Sequence, residues 1–87
     1  MKKINRAKTF DALFLKLPAH IQKKTEKAIT LLMQNMFHPS LHLKKIGGVK
    51  DIWEARVDYH YRFSLTIKRD VITLRVIGNH DEVLKNP

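Results

Sequence analysis

An α+β fold is what this sequence predicts, and three observations predict it. Apolar residues recur at helical spacing through the N-terminal half. After the Gly47-Gly48 pair they switch to alternation, and short turns separate the alternating runs. The expected architecture is two N-terminal helices packed on one face of a twisted, mainly antiparallel sheet of about four strands. Residues 1–87 would form one domain, because a chain of 87 residues supports a single core and buries only about 60–65% of its unfolded surface.

Thr9 is placed to cap a first helix over residues 10–16, with Asp11 near its positive end. Phe10, Leu13, Phe14 and Leu17 share one stripe of that helix. Leu17-Pro18 breaks it, since the residue before a proline avoids helical backbone and proline suits the first turn of a new helix. From Pro18 onward, Ile21, Thr25, Ala28, Ile29, Leu32, Met33 and Met36 form the inner stripe of a second, amphipathic helix. Lysines and glutamines fill its outer face, and His38-Pro39-Ser40 is expected to end it.

The strands follow the glycine pair. Trp53, Ala55 and Val57 alternate with Glu54, Arg56 and Asp58, and Tyr61, Phe63, Leu65 and Ile67 alternate with Arg62, Ser64, Thr66 and Lys68. In the last run Ile72, Leu74 and Val76 alternate with Thr73 and Arg75. Turns at residues 58–60 and 68–70 make antiparallel hairpins. The helices would cover the apolar side. The other side carries Glu54, Arg56, Arg62, Ser64 and Arg75, and three arginines on so small a face repel one another unless acids or an anionic ligand neutralise them.

Composition narrows the function. With no cysteine there is no disulfide framework, zinc knuckle or thiol nucleophile. The net charge of +9 points to a polyanionic partner, nucleic acid or an acidic protein. The excess is uneven: residues 1–45 hold ten Lys/Arg and two acids, whereas residues 46–87 hold seven and six. Arg6, Lys8 and Asp11 interrupt any apolar run after Met1-Lys2-Lys3, so no signal peptide is expected. The longest nearly apolar stretch, residues 28–33, is far below the roughly 20 residues that cross a bilayer. A cytoplasmic protein without a membrane partner is therefore expected. His38 and His42 are four apart, but Pro39 prevents a helical turn between them, and no metal site follows from their spacing.

The segment Ile52-Trp-Glu-Ala-Arg-Val-Asp-Tyr-His-Tyr-Arg-Phe, followed by Ile77-Gly-Asn-His-Asp-Glu-Val-Leu, resembles the RelE/ParE superfamily of bacterial toxins. That family pairs a strand ending in Arg-Val with one opening Tyr-Arg, and its last strand runs into a Gly-x-His or Gly-x-Arg turn. His42-Leu43-Lys44 through Gly48 is similar to the family's approach to its second strand. The resemblance implies two helices on a twisted antiparallel sheet whose concave side is the active surface. For RelE-like members it also implies metal-independent and cofactor-independent cleavage of mRNA in the ribosomal A site, by attack of a ribose 2′-OH on the adjacent phosphate. An acidic antitoxin would hold the toxin inactive, and ribosome and mRNA would be its targets. The alternative is a ParE-like inhibitor of DNA gyrase, with the same fold and no nuclease chemistry.

Carried over by position, Arg62 matches the arginine that holds the phosphate, with Arg56 beside it on the adjacent strand. His80 stands where the family places its C-terminal catalytic Arg or His, and histidine is the side chain that exchanges protons near neutral pH. His42 matches a histidine of a His-rich branch, while Lys44, Lys45 and Arg75 would contact the RNA. Glu54 departs from RelE, which has lysines on this strand. A carboxylate there serves either as general base or as the group that orients Arg56, the second being the favoured reading. No tyrosine follows His80 where some members stack a base.

Overall fold

A computed structural model describes residues 3–87; Met1 and Lys2, the opening of the basic N-terminal stretch, lie outside the described residues. Strand β1 (Lys3–Arg6) leads into helices α1 (Lys8–Leu15) and α2 (Ala19–Gln34). A 3-10 turn at Pro39–Leu41 follows, then β2 (Lys44–Lys45), β3 (Trp53–Arg56), β4 (Tyr61–Lys68), β5 (Val71–Asn79) and α3 (His80–Lys85). The strands form one five-stranded sheet in the order β1-β5-β4-β3-β2, antiparallel except where β1 joins β5. The class is α+β, as the patterning indicates, with one strand and one helix more than expected. Among the described residues no helix is long and apolar enough to cross a membrane.

The apolar stripes do what their spacing requires. Phe10 of α1 is buried and its ring meets Phe63 of β4 edge-on, 6.2 Å between centroids. Ile21, Thr25, Ala28 and Leu32 form the buried face of α2, and the Thr25 hydroxyl is satisfied by donating to the Ile21 carbonyl at 2.7 Å. Ala28 and Leu32 join Phe10, Leu41, Ala55, Phe63, Leu65, Ile72, Leu74 and Ile77 in one core. Helix ends differ from the expectation. Helix α1 starts two residues early behind Ala7, without a side-chain cap from Thr9, and α2 stops at Gln34, short of His38.

The last strand corrects the sequence reading at one point. Ser64 pairs with Val76 while Leu65 pairs with Leu74, so Arg75 is an extra residue that shifts the alternation. Ile77, opposite Phe63, is therefore the buried residue, and Val76 is only half-buried. Residues beyond the shift lead directly into α3, whose start carries a reciprocal cap. The Asn79 side chain accepts from the Glu82 backbone N–H at 2.9 Å, and the Glu82 carboxylate accepts from Asn79 at 3.3 Å. This register predicts unequal costs for two neighbouring truncations. Ile77→Ala should lose about 2–4 kcal/mol by urea unfolding, whereas Val76→Ala should lose about 1 kcal/mol or less; the reverse order would contradict the shifted pairing.

Candidate active site

Antiparallel pairing lines up side chains across the sheet face turned away from the helices. Lys44 stands opposite Glu54, Glu54 opposite Ser64, and Arg56 opposite Arg62, which in turn faces Gly78. Glu54 is 2% exposed, an unusual place for a carboxylate. One of its oxygens, Oε1, meets the Lys44 ammonium at 3.3 Å, and that lysine is 66% exposed. A solvated ammonium offsets little of the cost of burying the carboxylate.

Arg56 is held by His42, not by Glu54. Its Nη1 lies 3.2 Å from His42 Nε2, a contact in which the guanidinium donates and the imidazole accepts. The favoured reading of Glu54 as the group that orients Arg56 is thus corrected: the carboxylate bonds Lys44, and β2 with the turn before it supplies both partners. His42 adopts left-handed backbone, φ 46°, a conformation costing a non-glycine residue about 1 kcal/mol. Arg62 is 9% exposed. Its Nη1 donates to the carbonyls of Asp58, Tyr59 and Tyr61 and so clamps the loop between β3 and β4. The phosphate-holding arginine of the sequence reading has one nitrogen committed to the fold. His80 opens α3, and its backbone N–H donates to the His60 carbonyl at 2.9 Å, joining that helix to the same loop.

Among the described residues three buried side-chain atoms have no hydrogen-bond partner: Glu54 Oε2, Arg56 Nε and His80 Nδ1. Their residues line one cleft of about 250 Å³, with His42, Lys44 and Arg62. A second, wider cleft of about 570 Å³ shares Arg56, Arg62 and His80. Each orphaned polar atom costs about 1–3 kcal/mol. A carboxylate oxygen that accepts, a guanidinium that donates and an imidazole that does either are the three functions a phosphoryl transfer draws on. Two sequence-assigned residues are not brought here. Lys45 packs its ammonium 5.4 Å from the Trp53 ring centroid, and Arg75 donates through Nε to the Pro87 carbonyl at 3.0 Å, which Ser64 also contacts at 2.9 Å.

No protein-family model matches the chain, and no curated protein matches it by sequence. Solved structures do match. A chain of the RelB–RelE antitoxin–toxin complex from Methanococcus jannaschii superposes with a TM-score of 0.71 at 27% identity, over 95% of this chain and 99% of that one. A chain of the Escherichia coli DinJ–YafQ complex gives 0.76 at 14% identity, over 95% and 98%. One from the archaeal RelE–RelB complex of Pyrococcus horikoshii gives 0.74 at 16%, over 90% and 93%. The chain has the RelE-like fold that its motifs resemble, and the two more distant likenesses are of fold alone.

Sequence reasoning set Asp58 on the polar sheet face as an acid that could neutralise the arginines and missed its part in the turn, although an Asp two and three residues ahead of backbone donors is a turn-forming signal. Its carboxylate accepts from the backbone N–H groups of His60 at 3.0 Å and Tyr61 at 2.9 Å, and from Lys24 of α2 at 3.4 Å. Burial alone would raise this carboxyl, but the Tyr61 and His60 donors and Lys24 outweigh it and hold it below its ordinary 3.8. With its folded value lowered, Asp58 contributes stability above the unfolded value and loses it as pH falls through the folded one. Asp58→Ala should therefore cost about 1–2 kcal/mol at pH 7, with the gap to wild type shrinking below pH 3.8; chemical denaturation at the two pH values checks it.

Proposed function

We propose that this chain is the toxin of a toxin–antitoxin pair and acts as an endoribonuclease on mRNA held in the ribosome. One observation carries the reading: Glu54 Oε2, Arg56 Nε and His80 Nδ1 are buried and unpaired among the described residues, and their three residues line one cleft. Solved neighbours drawn from antitoxin–toxin complexes support the first half. The net charge of +9 suits both RNA and an acidic antitoxin.

The roles follow from donor and acceptor capacity. An ionised carboxylate only accepts, so Glu54 takes the 2′ proton as general base. The 2′ oxygen forms its bond to phosphorus while the bond from phosphorus to the 5′ oxygen breaks. Arg56, with Arg62 behind it, neutralises the charge on the phosphorane. His80 gives its proton to the departing 5′ oxygen. The products are a 2′,3′-cyclic phosphate and a free 5′-OH, and the proton balance closes on Glu54 and His80 without a cofactor. His42 positions Arg56, and Lys44 lines the approach of the RNA backbone.

Purified protein added to translating ribosomes should break mRNA and leave cyclic-phosphate ends. Removal of an acid–base group typically costs about 10²–10⁴-fold, so His80→Ala and Glu54→Gln should each slow cleavage by that order while circular dichroism stays that of the wild type. Intact mRNA beside a folded protein would refute the nuclease reading. Inhibition of DNA supercoiling in the same preparation, insensitive to His80→Ala, would put the gyrase-binding alternative in its place.

A further inference from the structure

The loop between β3 and β4 is more firmly built than its exposure requires. Asp58 accepts from two of its backbone N–H groups, Val57 N–H donates to the Tyr61 carbonyl at 3.0 Å, and Arg62 spans three of its carbonyls. The His60 carbonyl is tied to His80. Yet the side chain at the tip, Tyr59, is 76% exposed and joins no core. Its ring meets His60 edge-on, 5.0 Å between centroids at 83°. Both rings border the wider cleft, of about 570 Å³, whose other walls include Arg56, Arg62 and His80. That volume lies within the roughly 300–1,000 Å³ of sites that take a small ligand or one nucleotide.

We infer that the Tyr59 ring, with His60 edge-on beside it, is a stacking platform for a nucleobase flanking the scissile phosphate. The inference rests on the nuclease reading above and deepens it. A flat aromatic surface in water has two common uses, a base or a protein hot spot. Here Tyr59 shares its cleft with Arg56, Arg62 and His80, the residues that would meet a phosphate, so a nucleotide can engage both at once. Rigidity matters energetically: a loop whose backbone is already fixed loses little freedom when a base lands on the ring it carries.

The test uses the full chain and mRNA on translating ribosomes, with 2-aminopurine as the fluorescent base beside the cleavage position. Tyr59→Ala should lower kcat/KM by about 5- to 100-fold, mainly through KM, and abolish the fluorescence quenching that stacking produces. Tyr59→Phe should restore both, because the ring and not the hydroxyl stacks. His60→Ala should give a smaller loss in the same direction. Wild-type cleavage with Tyr59→Ala equally fast and equally quenched would overturn the platform and leave the nuclease reading standing. The same result with weakened binding of an acidic antitoxin would reassign Tyr59 to that partner. No cleavage by the wild type would overturn both.

Discussion

The first half of strand β4, from Arg62 to Leu65, has no free face, and the rest of the molecule is arranged around that constraint. From Arg62 to Leu65 every residue is buried. Phe63 and Leu65 point into the core beneath the helices, where their burial stabilises the fold by roughly 1.5–3 kcal/mol each. Alternation then forces Arg62 and Ser64 onto the opposite side, where two polar groups are buried and must find partners. Ser64 finds the Pro87 carbonyl, which brings the C-terminal segment across the sheet. Arg62 finds three loop carbonyls, which shapes the turn before its own strand. Only the second of these satisfactions borders the clefts, since Tyr59 and Arg62 line the wider one, so pairing Arg62 also builds part of that cleft's wall.

What stays unsatisfied on that face is selective. Native interiors pair nearly all buried polar atoms, and the Thr25 hydroxyl in α2 is paired in the usual way. The exceptions among the described residues are three atoms of different chemistry in one place. At about 1–3 kcal/mol apiece they are a sizeable part of the 5–15 kcal/mol by which a domain is stable. The left-handed His42 adds to the same account, and it is the residue that holds Arg56. Cost concentrated on one cleft while the opposite face packs cleanly is the pattern of a site kept for binding.

Periodicity made most of the fold legible and failed where periodicity itself breaks. The stripe from Ile21 to Leu32 and the alternation from Trp53 to Ile67 needed only spacing. Strand β1 has one apolar residue, Ile4, among Lys3, Asn5 and Arg6, because an edge strand buries little; its pairing to β5 is a tertiary fact. The extra residue at Arg75 moved burial from Val76 to Ile77, and a single sequence has no marker for such a shift. Helix α3 was legible in principle through Asn79 and Glu82, the spacing of a reciprocal cap. Of the site, Arg56, Arg62, Glu54 and His80 were placed on the right face by alternation and motif. Their partners were not, because His42 reaches Arg56 across a backbone conformation that only coordinates reveal.

The joint between the β3–β4 loop and α3 decides whether these residues act together. His80 lies 18 positions beyond Arg62 in the chain, and packing of Val83 alone would leave the start of α3 free to pivot. The hydrogen bond from His80 N–H to the His60 carbonyl removes that freedom. Its other end is no looser, since His60 is fixed by Asp58, and Asp58 is tied through Lys24 to α2. The Asp58 carboxylate thereby shares in holding the loop that joins Arg62 to the start of α3. For the proposed nuclease such alignment matters, since a displacement of about 1 Å is enough to cost an enzyme two orders of magnitude. Asp58 is therefore the point at which the loop meets α2, its two backbone acceptor bonds doing most of the fixing and the half-exposed Lys24 contact adding little.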